Sequence, residues 1–348
     1  MAAPLYTPHS RALTVLYADL ESHALTQRHA FEGTAGTVIA RANAGGFRFY
    51  AHQYYDGDRK KRESYLAGPI GDAKAEATAE ELRTRIREMK DLVPSLRMLG
   101  REGFSLVDAR VYATLASLHN HGVFAAGGML IGSHAYGVLL NRLGVRAVPY
   151  MTEDIDVARG AALKFDTPPE ADFLAMLNDS GIEFVAVPSI DRKKPPTSFK
   201  QRGRSSFHVD LLAPSGNETF AVIDVPELKA HATGLPHLDF LLAESQTAML
   251  MAREGCCAVR VPLPERFAVH KLIVSRLRTG RDAKSERDVM QACVLAAALA
   301  DGHPGAIESA VAVVPRPAAK RFQQGRESAR RWLETSYPRA WEELTAGA

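Results

Sequence analysis

Cysteine is scarce in this chain of 348 residues: there are three, two of them adjacent at Cys256 and Cys257, and none in a Cys-x-x-Cys pair. That scarcity excludes a zinc ribbon and a disulfide framework, and suits packing residues in a reducing compartment. Long apolar runs are missing as well. The run "VLAAALA" at 294–300 falls far short of the roughly 20 residues that a membrane-spanning helix needs. The opening "MAAPLYTPHSRALTVLYADL" has neither the charged start nor the small-residue cleavage site of a signal peptide, so the expected address is cytoplasmic, with no membrane partner. There is no Gly-Lys-Ser/Thr ending of a P-loop and no GxGxxG placed after a strand, which removes two common nucleotide-binding motifs. Internal repeats and low-complexity tracts are also lacking.

What is present is the composition of a soluble globular protein, 46% hydrophobic and 24% charged, long enough for two or three domains. The net charge of +3 is unevenly placed. The segment "DRKKPPTSFKQRGR" at 191–204 sets Arg192, Lys193, Lys194, Lys200, Arg202 and Arg204 against Asp191, so it alone carries +5 and the remainder sums to −2. A second basic run covers Arg59 to Arg62. Such runs suit a solvated loop or a polyanionic ligand.

Along the chain, Leu13, Leu16, Leu20 and Leu25 space out an opening helix. Residues 36–69 read as two or three antiparallel strands with turns at 44–46 and 56–58. Their aromatics, Phe47, Phe49, Tyr50, Tyr54, Tyr55 and Tyr65, fit the buried face of a small sheet or a platform for stacked bases. A charged connector helix follows from Ala73 to about Arg101, with a stripe of Leu82, Ile86 and Met89. Helices at 107–122 (closed by Gly122), 134–143 and 168–181 then alternate with strands at 154–158, "IEFVAVPSI" and "SSFHVDLLAP", an α/β pattern over 107–225. Beyond it the expected helices are 238–253, 264–278, 285–300 and 316–335, with Ser285 and Asp288 as a capping box and a short strand "CAVRV" between the first two.

Side chains at i and i+2 of a strand share a face, so "EDIDVA" puts Asp154 and Asp156 together while Ile155 and Val157 turn inward. Paired carboxylates repel unless a cation sits between them, and Mg²⁺ is the hard ion that carboxylates and phosphates share. By the same alternation "SSFHVDLL" puts Ser206, His208 and Asp210 on one face, directly after the basic segment. The same spacing at Asp56-Gly57-Asp58 reads instead as a hairpin turn. In "MLIGSHAYGVLLNRLG" an apolar strand runs into a turn at Gly132-Ser133 and then a helix, whose free N–H groups attract phosphate. Ser133 fits either as the cap of that helix or as a donor to phosphate. Lys271, Ser275 and Arg278 recur at i, i+4 and i+7, which fits a solvated basic face or, for Lys271, a reach towards a triphosphate.

A Gly-Ser turn opening a helix, Asp-x-Asp on the next strand and a third Asp on a later strand together resemble the polymerase-β-like nucleotidyltransferase superfamily. The resemblance covers roughly 125–215 and extends more loosely through 280, where "VPLPERFAVHKLIVSRLR" is similar to bacterial nucleotidyltransferase-like proteins, including toxins of toxin–antitoxin systems. One departure is that 20 residues lie between Ser133 and Asp154, a longer connection than the family usually carries. The resemblance implies an α+β fold: a mixed sheet flanked by helices, a small β-rich N-terminal segment and a helical C-terminal region. The expected divisions are 1–105, 106–230 and 231–348. It further implies that Asp154, Asp156 and Asp210 hold two Mg²⁺ ions, and that Gly132, Ser133 and Lys271 bind the nucleotide. The reaction implied moves a nucleoside monophosphate from an NTP to an acceptor hydroxyl. RNA or tRNA held by the basic loop 192–204, or a partner protein, is the expected acceptor, and a non-catalytic module that binds RNA or a partner through this fold is the alternative.

Overall fold

The computed structural model describes residues 4–148, 152–189, 191, 193–216, 221–277 and 282–346. Arg192, Arg278 and part of the connection before Asp154 lie outside them.

The central sheet is mixed. The strand His208–Ser215 runs parallel to Asp154–Arg159 on one side and to Ala230–Pro236 on the other, while Gly128–Ile131 and Val222–Val225 close the two ends antiparallel. The strands Phe184–Ala186 and Ser198–Gln201 form a hairpin that pairs with the start of His208–Ser215. Part of the expected basic loop is therefore a strand, placing Lys200 opposite His208. Alternation along these strands buries Ile155, Val157, Phe207, Val209 and Leu211, the inward set that the sequence pattern predicts. Burying each contributes about 1.5–3 kcal/mol, so the polar face opposite is held in register by the apolar one.

Around this sheet, Ala109–Asn120 begins at Asp108, whose carboxylate accepts from the Arg110 and Val111 N–H groups, and ends before Gly122 at φ +73°. The expected helix at 168–181 shortens to Phe173–Asn178, because Asp172, not the prolines, supplies the cap. The expected helix 238–253 is corrected: only Leu238–Leu242 is helical, and Ser245–Met251 pairs antiparallel with Cys256–Pro262. Its Met249, Leu250 and Met251 are all buried, so neither periodicity was visible in the run. The capping box is also corrected: the helix Asp282–Gly302 begins before it, Ser285 donates to the Ser275 carbonyl, and Asp288 pairs with Lys271. Pro264–Val274, Asp282–Gly302, Ala306–Ala312, Arg316–Leu333 and Pro338–Thr345 make the helical C-terminal region. The first, second and fourth match expected helices, the first ending at Val274 rather than 278, whereas Ala306–Ala312 and Pro338–Thr345 are additions.

At the N-terminal side, Thr37–Ala42, Arg48–Tyr55 and Lys61–Ala67 form a three-stranded antiparallel sheet. Tyr50 is buried, but Phe47, Tyr55 and Tyr65 are exposed, so the aromatics are divided between the two readings. Arg11–Thr26 packs Tyr17, Leu20 and Ala24 into a cluster that Ala73–Arg101 completes with Leu82, Ile86, Met89, Leu96 and Leu99. Met249, Met251 and Cys256 of the hairpin join that cluster, and Leu250 and Cys257 join the one around the central sheet. The turn at Asp56-Gly57-Asp58 is structural: Asp56 is buried against Arg62 at 2.6 Å, and Gly57 leaves no room for a side chain beside Ala113 and Ile182. All three cysteines are buried and unpaired. Among the described residues no helix is long and apolar enough to cross a membrane.

Candidate active site

Two neighbouring strands bring the carboxylates to one patch, and a third brings the Gly-Ser turn beside it. In the parallel pairing, Asp154 lies opposite His208 and Asp156 opposite Asp210, while Ile131, the residue before the Gly-Ser turn, lies opposite Asp156 on the other side. Neighbouring strands run about 4.8 Å apart, so Asp156 stands between the turn and Asp210. Gly132 takes φ +70°, and a Cβ there would fall 2.0 Å from Asp156 Oδ2. Only glycine permits that approach of backbone to carboxylate. The helix Gly132–Arg142 starts here without a side-chain cap, so the capping role open to Ser133 is not taken. Its hydroxyl instead bonds Thr152 Oγ1 at 2.6 Å, and that oxygen donates to the Asp154 carbonyl at 3.3 Å.

His208 sits between two of the acids. Its Nδ1 is 2.9 Å from the Ser206 carbonyl and 3.3 Å from Asp154 Oδ1, and its Nε2 is 3.5 Å from Asp210 Oδ2. Ser198, opposite Asp210 where the hairpin pairs with His208–Ser215, donates to Asp210 Oδ1. Burial first, and then the neighbouring Asp210 charge, push Asp156 up to about 6, against the opposing pull of Lys271. Burial works to lower His208, but the Ser206 carbonyl and the carboxylates of Asp210, Asp154 and Asp156 outweigh it and hold the ring above its ordinary value. Beneath the turn, burial lowers His134 to about 4, which keeps it neutral.

Lys271 faces the same patch from the helix Pro264–Val274. It shares with Ile131, Gly132, Asp156, Phe267 and Leu241 a cavity of about 270 Å³. Its ammonium bonds Asp288 Oδ1 at 2.8 Å, with both side chains largely buried. Ser275 is buried and donates to the Leu272 carbonyl, so the face holding these two residues is not solvated. Arg278, the third of that stripe, lies outside the described residues. In the basic segment, Lys193, Lys194 and Arg204 are exposed, and Arg202 pairs with Glu183 at 3.0 Å.

All six residues singled out in the sequence thus stand at this patch. Sequence reasoning missed Thr152, Ser198 and Asp288, which hold Ser133, Asp210 and Lys271. Ser198 lies in "TSFKQ", whose single apolar residue, Phe199, gives no alternation to mark a strand, and the partner of Lys271 lies on another helix and left no local sign.

The donor set has the chemistry of a hard-cation site: carboxylate oxygens drawn together against their own repulsion, with one acid pushed towards neutrality for want of compensation. Among the described residues, no three acidic, His or Cys side chains converge as metal ligands as they stand. The His208 ring lies between Asp154 and Asp210, so those carboxylates must turn from it to share an ion.

No curated protein and no solved structure matches the chain significantly. A family model described as nucleotidyltransferase matches residues 109–314, a span that takes in the Gly-Ser turn, all three aspartates and Lys271, and the chain belongs to that nucleotidyltransferase family.

Proposed function

We propose that this chain is a Mg²⁺-dependent enzyme that moves a nucleoside monophosphate from an NTP to an acceptor hydroxyl. The observation that carries this reading is the register that sets Asp156 between the Gly132 turn and Asp210, with Asp154 on the same face. Asp154, Asp156 and Asp210 would hold two Mg²⁺ ions once the carboxylates of Asp154 and Asp210 turn from His208. When bound, such ions polarise the α-phosphate and stabilise the attacking and leaving oxygens.

The Gly132-Ser133 turn and the uncapped N–H groups behind it bind phosphate oxygens, with Ser133 exchanging its Thr152 partner for one of them. Lys271, held by Asp288, supplies positive charge across the cavity. The acceptor oxygen attacks the α-phosphorus, the bond to the β-phosphate bridging oxygen breaks, and pyrophosphate leaves with that electron pair. Asp210, steadied by Ser198, helps to draw the hydroxyl proton away. His208 positions Asp154 and Asp210.

The test incubates each α-³²P-labelled NTP with Mg²⁺ and total RNA or a protein extract, beside a folded Asp154→Asn/Asp156→Asn variant. Label transferred by the wild type and lost at least 100-fold in the variant is expected from removing metal ligands. Transfer that survives the double substitution contradicts the assigned site. No transfer to any acceptor, with tight RNA binding, replaces the enzyme by a non-catalytic binding module.

A further inference from the structure

Beside the aspartate patch lies a cleft of about 1130 Å³. Arg59, Arg97, Arg101, Arg146 and Arg253 line it, and Thr152, the partner of Ser133, lies on its wall. Four separate parts of the chain deliver these guanidiniums: the turn of the N-terminal sheet, one face of the helix Ala73–Arg101, the segment after Gly132–Arg142, and the turn of the Ser245–Pro262 hairpin. All five are exposed. None is in an ion pair with a carboxylate among the described residues; Arg97 donates to the Arg253 carbonyl at 3.0 Å. Two acids, Asp108 and Glu254, also line the cleft against five positive charges, and the Asp108 carboxylate is engaged by the N–H groups at the start of the helix Ala109–Asn120. Near the cleft, burial first and then the Arg146 charge lower the His9 ring, while Glu102 pulls the other way. Arg59 moreover occupies a left-handed position, φ +60°, where glycine or asparagine would sit with less strain.

An excess of like charge gathered from distant parts of a chain favours an anion, and guanidinium forks match phosphate oxygens. The cleft's volume lies above the roughly 300–1,000 Å³ of small-molecule pockets, so it has room for a ligand longer than one triphosphate. The geometry points to a binding track for the phosphodiester backbone of a single-stranded RNA acceptor, running from Arg59 past Arg97 and Arg253 to Thr152 and so to the Gly132-Ser133 turn. On this assignment the N-terminal sheet builds one wall of the acceptor site. The acceptor role rests on the nucleotidyl-transfer reading above; the binding itself does not.

The experiment measures fluorescence anisotropy of a fluorescein-labelled 15-nucleotide single-stranded RNA, in EDTA and without NTP, so that a failure of catalysis leaves it unaffected. Two non-overlapping variants, Arg97→Gln/Arg101→Gln and Arg146→Gln/Arg253→Gln, are compared with Lys193→Gln/Lys194→Gln in the basic loop, each checked for folding by circular dichroism. Each cleft pair is expected to weaken binding at least fivefold and to lower the slope of log affinity against log salt by roughly 1 to 1.5, at about 0.7 per lost phosphate contact. The loop pair is expected to bind within twofold of wild type. Either cleft pair suffices if the other misfolds. Wild type that fails to bind, cleft variants that bind like wild type, a loss confined to the loop pair, or equal displacement by a polyglutamate peptide of the same charge overturns the assignment.

Discussion

Asp156 is the residue at which the demands of folding and of chemistry diverge most. Its carboxyl is pushed up to about 6 by burial and by Asp210, well above its ordinary value of 3.8. For an acid raised in the folded state the sign is unfavourable: between pH 3.8 and about 6 the folded chain holds the proton longer, so stability falls as pH rises through that window and stays reduced above it. Asp156→Asn removes the buried charge with little change of shape. It is expected to stabilise the metal-free protein by about 1–3 kcal/mol at pH 7.5, as a rise in Tm by scanning calorimetry, with the gain shrinking towards pH 5. A fall in Tm at pH 7.5 contradicts it. The carboxylate positions themselves were legible, because alternation along a strand fixes which side chains share a face. The neighbours that set this pKa were not, because register between strands far apart in sequence is a tertiary fact.

At the scale of elements, the helix Arg316–Leu333 crosses Pro264–Val274 at Gly325, where a Cβ would lie 2.1 Å from the Leu272 carbonyl oxygen. Glycine inside a helix ordinarily costs about 1 kcal/mol relative to alanine. Here the sign reverses, since the added methyl meets backbone that cannot step aside. Gly325→Ala is expected to destabilise by about 1–3 kcal/mol by thermal or urea denaturation, and to weaken NTP binding by moving the helix that carries Lys271. Unchanged stability contradicts the close crossing. The helix was legible from its periodicity, but the purpose of its glycine was not, since the contact is with a carbonyl some 50 residues earlier. The N-terminal hairpins were legible for the opposite reason: their Ala44-Gly45-Gly46 and Asp56-Gly57-Asp58 turns are local chemistry. The run 238–253 failed because a strand buried on both faces shows neither a helical nor an alternating pattern, as Met249, Leu250 and Met251 illustrate.

For the whole molecule, histidines buried in several places work against stability in acid, while His208, held above its ordinary value, works the other way. Burial lowers His9, His52, His119 and His134, the last to about 4. Each is held neutral in the fold, so its contribution is present above the unfolded value of 6.5 and is lost as pH falls through the folded value. Tm is therefore expected to drop between pH 6.5 and 4.5, more steeply in Asp156→Asn, because Asp156 opposes the histidines over that window; a flat profile contradicts this. The two long-range assemblies, the acid patch and the arginine cleft, differ in how far they could be read in advance. The first follows from three short motifs, Gly132-Ser133, Asp154-x-Asp156 and Asp210. The second gathers single arginines from four regions, and no local pattern marks them. The most direct test of the central claim, that three aspartates on two strands form one metal centre, is the number of Mn²⁺ ions bound by electron paramagnetic resonance with a non-hydrolysable NTP analogue present. The expected result is two ions per chain for wild type and one for a folded Asp210→Asn variant; equal binding by both, or none by wild type, contradicts it.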